Sequence, residues 1–141
     1  MSLVVPSSDI VAISNYGELL EAVHDFMDRG DLGTKIDGYI RLVEGRINRE
    51  IRSNDMEKIA NLTFTLGSAP LPTDFLEARR VVSGTTVLNY VSPARLMDLR
   101  AGGAALVCDY SIVGQAIQTP PQSSDSVDLL YYGRIDTLKA D

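Results

Sequence analysis

Between Gly33 and Arg52 the chain reads GTKIDGYIRLVEGRINREIR, and Ile36, Ile40, Val43, Ile47 and Ile51 recur at steps of four, three, four and four. At about 100° per residue this spacing puts all five on one stripe of a helix. Thr34 stands where an N-cap is wanted, with Asp37 three places on as a short substitute for the glutamate of a capping box. Upstream, Leu19, Leu20, Val23, Phe26 and Met27 form the apolar face of a first helix, with Asn15 as its N-cap and Glu18 at the reciprocal position. Gly30 closes that helix, and Asp31-Leu32-Gly33 is a tight connection. A link this short predicts an antiparallel hairpin whose two stripes face a shared core. Burying each large aliphatic side chain is worth roughly 1.5–3 kcal/mol, while ordering backbone costs about 1–2 kcal/mol per residue. The hairpin therefore needs further surface from the rest of the chain.

After Arg52 the period changes. Leu62, Phe64 and Leu66 alternate with Thr63 and Thr65, the pattern of a half-buried strand, which Gly67-Ser68-Ala69-Pro70 breaks. Pro70-Leu71-Pro72 enforces extended backbone, and Thr73 or Asp74 is placed to cap a single helical turn through Phe75 and Leu76. Val81-Val82 and Thr86 to Val91 read as a β-hairpin turning at Gly84. Ser92-Pro93 starts a short helix carrying Leu96, Met97 and Leu99, which Gly102-Gly103 stops. Strands follow at Ala105 to Ile112, at Gln115 to Thr119, and at Val127 to Tyr132. The expected fold class is α+β: an N-terminal antiparallel helical hairpin packed with a small antiparallel sheet or open barrel that contains one short helix. Organised as one domain, the chain would hold an extended arm at 1–15, the hairpin at 16–52 and a mainly β lobe at 57–138.

The polar faces of the two helices differ in sign. Glu18, Glu21, Asp25 and Asp28 cluster on the first; Arg41, Arg46, Arg49 and Arg52 occupy the outward and flanking directions of the second, where Tyr39, Leu42 and Arg46 add a strip beside the aliphatic one. Two solvated faces are the ordinary reading, since exposed ion pairs are weak. The sharper reading sets one subunit's acidic face on its neighbour's basic face, a heterologous contact that closes into a ring or runs on as a filament. Length fits this picture: 141 residues suffice for one core. A formal net charge of −6 argues against nucleic-acid binding by charge alone. No apolar run approaches the ~20 residues of a membrane span, and MSLVVPSSDI has no charged leader region, so neither membrane nor secretion is expected.

Candidate chemistry is sparse. His24 has no Cys or His at metal-ligand spacing, so no zinc or other metal site is expected. Cys108, the lone cysteine, excludes an internal disulfide, and its apolar run LVC predicts a buried thiol. No G-x-S-x-G, P-loop or G-x-G-x-x-G occurs. Asp55 with Glu57, and Asp125 with Asp128, are acidic pairs that turn chemistry explains. Tyr131-Tyr132, adjacent on a strand, read as one core and one rim residue. Neither a catalytic constellation nor a cofactor site emerges.

Several segments in order carry more. They are Asp31-Leu32, Glu44 to Arg52, Met56-Glu57, Leu71-Pro72-Thr73-Asp74-Phe75-Leu76-Glu77 with Arg79-Arg80-Val81, Tyr90-Val91-Ser92-Pro93, and Leu129 to Ile135. Together, from about Tyr16 to Leu138, the chain resembles the head-to-tail adaptor proteins of short-tailed bacteriophages and their prophage relatives. The resemblance implies a virion component at the head–tail junction, in the host cytoplasm during assembly, and no enzyme. It implies copies docked beneath the portal protein after DNA packaging as a dodecameric ring, a tail or nozzle protein as further partner, and DNA passing through the lumen without specific binding. An acidic inner wall would help by repelling phosphates; it falls to the loops if the hairpin makes the subunit contact. Arg46, Asn48, Arg49, Glu50 and Arg52 match the family's helix end, and Leu71, Pro72, Asp74 and Phe75 its proline loop. Members of the family are expected to continue past the Tyr-Tyr strand into C-terminal helices, which the residues up to Asp141 do not supply. The alternative is a small non-enzymatic binding module for carbohydrate or peptide, using the β lobe.

Overall fold

The structure, a computed structural model, describes residues 13–28, 31 and 33–137, and the chain forms two compact units. Most of the expected N-terminal arm, and the expected stop at Gly30, lie outside the described residues. The first unit holds helix α1 (Tyr16–Met27) and helix α2 (Gly33–Glu50). Asn15 caps α1 as expected, its Oδ1 accepting from the Glu18 amide at 2.9 Å. The Glu18 carboxylate answers one residue earlier than a capping box would have it, accepting from the Ser14 amide at 2.7 Å. Asp28, in the left-handed region at φ 46°, ends the helix and donates its amide to the His24 carbonyl.

The helical pattern is right in period and too generous in width. Tyr16 and Ile36 are buried, and Leu19, Leu20, Val23, Ile40 and Ile47 are half-buried. Phe26 is 91% exposed, although the period sets it on the apolar face. Val43 is also exposed. Thr34 lies inside the first turn of α2 rather than capping it, since Gly33 is already helical. The helix stops at Glu50, so Ile51 and Arg52 drop out of the stripe. Arg52 donates from Nη1 to the Ile51 carbonyl at 2.8 Å and from Nε to Glu77 at 3.2 Å.

The second unit, Ile51–Ile135, opens with a 3₁₀ turn (Asn54–Met56) that buries Met56. Its strands are β1 (Glu57–Thr63), β2 (Ser68–Pro70), β3 (Phe75–Ser83), β4 (Thr86–Val87), β5 (Asn89–Tyr90), β6 (Asp109–Val113), β7 (Ala116–Gln118) and β8 (Ser126–Gly133), with helix α3 (Pro93–Ala101) between β5 and β6. They build two four-stranded sheets. The first runs β1-β8-β3-β4 and is antiparallel throughout; the second runs β2-β7-β6-β5, with β5 and β6 parallel. β8 is a central strand, and Val127, Leu129 and Tyr131 alternate into the core against Phe64 and Val81.

The Gly84 turn (φ 58°), the Ser92 cap, Pro93 at the first position of α3 and the Gly102-Gly103 stop all fall where the sequence puts them. Other boundaries move. Strand β1 ends at Thr63, and Leu66-Gly67 makes a tight turn with both φ values positive, so Leu66 is exposed instead of buried. Gly67 is required there, because a Cβ would lie 2.7 Å from the Pro121 carbonyl. Phe75-Leu76 forms no helical turn: Phe75 pairs with Gly133 at the start of β3. β6 begins only at Asp109, which leaves Cys108 ahead of the strand, exposed, against the expected buried thiol.

Candidate interaction surface

α1 carries acids and no Lys or Arg. Glu21, Asp25 and Asp28 are exposed, while Glu18 is half-buried and engaged at the helix start. The acidic face thus reduces to three outward carboxylates, one of them the helix cap. On α2, Arg41 and Arg49 are exposed, and Arg46 lies along its own helix with Nε 3.1 Å from Glu50. Tyr39 and Leu42 stand out on the same helix, 57% and 70% exposed. The expectation that Arg52 faces outward is corrected: it belongs to the second unit, where it pairs with Glu77.

Between the two helices runs an open groove of about 490 Å³. Leu19, Val23 and Met27 line it from α1, and Ile36, Ile40 and Val43 from α2. Glu44 is the charged residue in the lining and is buried. Sequence reasoning passed over Glu44, although its position four residues after Ile40 puts it on the aliphatic stripe. The groove itself had no signal in the sequence: the same stripe fits a closed hairpin equally well.

The proline-loop positions sit in the second unit and hold it together. Asp74 accepts from Lys58 Nζ at 2.6 Å and from the Tyr131 hydroxyl at 2.9 Å, and its carbonyl accepts from the Arg134 amide at 2.7 Å. Burial alone would raise the Asp74 carboxyl; the hydrogen bonds from Lys58 and Tyr131, with the Lys58 charge, outweigh it and hold the pKa below its ordinary value. Burial, followed by the hydrogen bond to Asp74, pushes Tyr131 up. Phe75 stacks on Tyr131 with centroids 5.8 Å apart, and Pro72 is half-buried, its carbonyl accepting from the Phe75 amide. Tyr131 is the core residue and Tyr132 the rim residue, as expected; the Arg79 guanidinium lies 5.4 Å over the Tyr132 ring, with Arg79 also bonded to Glu57. Arg100 ties the second sheet's loops, donating to the carbonyls of Thr119 and Gly67.

Among the described residues, no group of three or more His, Cys, Asp or Glu is placed to hold a metal ion, and no helix is long and apolar enough to cross a membrane. The polar side chains brought together in the second unit build ion pairs and a buried tyrosine. The accessible chemistry of the hairpin is charge and apolar surface. The SU10 adaptor protein family matches residues 14–141, and the chain belongs to that family of bacteriophage structural proteins. Comparison with curated proteins gives no match.

Proposed function

We infer that this protein is the adaptor that seats on the portal ring and joins it to the tail. Family membership supports a structural role in the virion. The observation that carries the finer reading is the opposition of charge on the hairpin, with Glu21, Asp25 and Asp28 outward on α1 and Arg41 and Arg49 outward on α2. Faces of opposite sign on one small unit suit a head-to-tail contact between copies, and such a contact closes into a ring when its rotation allows. Each pair is weak in water, so the ring forms on the portal as template and the unbound chain remains a monomer. The ring is dodecameric, a tail or nozzle protein docks below it, and DNA passes through without specific binding, in keeping with the net charge of −6. The carbohydrate or peptide module gains no support, because Tyr131 is buried and Tyr132 lies under Arg79.

Sizing by light scattering tests this directly, with the full chain alone and mixed with the portal protein of the same phage. The expected result is a monomer alone and a stoichiometric complex with portal rings. Portal rings that elute unaccompanied at micromolar adaptor overturn the reading.

A further inference from the structure

Among the described residues four strands stand at sheet edges, β1 and β4 in one sheet, β2 and β5 in the other. Natural sheets blunt their edges by brevity, proline or charge, because a free row of N–H and C=O groups templates another strand. Here β4 and β5 are two residues long, and β2 is three residues long and ends on Pro70. β1 has none of these guards. It runs seven residues in unbroken register with β8, from Glu57 opposite Tyr132 to Thr63 opposite Ser126, and contains neither Pro nor Gly. Its Lys58 is drawn to Asp74, and Ile59 stands 74% exposed. We propose that β1 is the portal-docking element, an extended segment of the portal chain adding to its free edge as a further strand. The inference rests on the reading that the protein seats on the portal ring.

The side chains along the edge specify that segment. Ala60 and Leu62 pack toward the core beside Leu129 and Val127, their partners in register, yet they are half-buried where Leu129 and Val127 are buried. The core thins at this edge, and a strand laid beside it would add apolar side chains on that side. On the opposite side Ile59 suits an apolar cross-strand neighbour. At the Thr63 end Asp125 and Asp128 are exposed, the Asp125 carbonyl accepting from the Phe64 amide. Among the described residues neither carboxylate is paired with a cation; Asp128 holds the neutral Asn61 amide at 2.8 Å. The matching segment is therefore extended and apolar, with Lys or Arg toward that end. A second copy offers no such strand. Antiparallel pairing of β1 with itself is two-fold and closes at two copies, which a head-to-tail ring cannot use, and the other edges are too short. A lone copy already carries the whole β1 edge, so it can dock on the portal before any neighbour arrives, as assembly on a template requires. The tail, by contrast, meets the completed ring.

Hydrogen–deuterium exchange on the full chain, alone and bound to portal rings of the same phage, tests the proposal. Alternate amides of an edge strand point away from its partner, so about half of those in β1 are expected to exchange fast in the free chain. On portal rings roughly three of them are expected to become protected, with β4 and β5 unchanged. Binding to portal with uptake over 57–63 unchanged overturns the inference and leaves portal seating intact, whereas no association at all overturns both. Full protection of β1 in the free chain means that the edge is already taken by the chain itself or by a second copy, and also overturns it. Independently, Ile59→Lys with Asp125→Lys changes two exposed side chains along the edge. The variant is expected to keep the parent's melting temperature and to bind portal rings about tenfold more weakly. Parental affinity overturns the proposal.

Discussion

Asp74 is a loop residue whose carboxylate does the work of a core contact. It satisfies the hydroxyl of Tyr131, a buried side chain of the central strand, and receives the Lys58 ammonium from the neighbouring strand. Asp74→Ala leaves the Tyr131 hydroxyl without its partner, at a cost of about 1–3 kcal/mol. Lys58 is 41% exposed and regains water, which keeps the expected loss toward the lower end; urea unfolding measures it. The pH dependence has a definite sign. Because the folded pKa is lowered, the contribution of Asp74 is complete above the ordinary value of 3.8 and disappears as pH falls through the folded pKa. Asp74→Asn is therefore expected to flatten the acid limb of a stability–pH curve, and an unchanged limb would remove the assignment. Ser111 is the opposite case, a fully buried hydroxyl without a hydrogen-bond partner among the described residues. Ser111→Ala is expected to leave thermal stability unchanged or raise it, since the replaced group is desolvated and unpaired.

At the scale of elements, local rules held at most positions where a single residue decides the geometry, Thr34 being the exception because α2 already includes Gly33. Asn15, Ser92, Pro93, Gly84 and the Gly102-Gly103 pair are each read correctly because capping and positive φ are properties of one or two positions. Asn15→Ala is expected to lower hairpin stability by about 1 kcal/mol, read as lost helical signal on heating. The errors lie where pairing partners decide. Thr73-Asp74 has the chemistry of a helix cap, yet Phe75 pairs with Gly133, and Asp74 is spent on Tyr131. Nothing near Asp74 in sequence announces a partner 57 residues away. Gly133 shows the same non-local demand: a Cβ there would lie 2.8 Å from Asp74 Oδ2 and 2.8 Å from Lys58 Cδ. Gly133→Ala must push that pair apart, and a loss of about 1–3 kcal/mol is expected. The width of the α2 stripe fails for a related reason, since periodicity assigns a side chain to a face and cannot say whether anything covers it.

For the whole molecule, the family was legible from segments spread along the chain, whereas the proposed contact faces rest on sign of charge alone. Three of the charges assigned to outward faces prove to be engaged within the chain, Glu18 in starting α1, Arg46 with Glu50 and Arg52 with Glu77. The assembly test must therefore avoid Arg52: Arg52→Glu sets a second carboxylate beside Glu77 and confounds folding with docking. Arg41→Glu with Arg49→Glu is the cleaner pair, because both side chains are exposed on α2 and neither lines the groove. The double variant is expected to keep the helical signal and melting temperature of the parent, and to fail to form a closed complex on portal rings. If the contact is between opposite charges, raising salt from 0.05 to 0.5 M should weaken the parent's assembly in the same direction, as the screening length shrinks from about 14 Å to about 4 Å. A compensating variant, Glu21→Arg with Asp25→Arg added to the first two, is then expected to restore closure, because each face meets its neighbour's opposite face and both signs have been exchanged. Restoration by the fourfold variant would locate the contact on these faces, and assembly by the twofold variant at parental strength would exclude it.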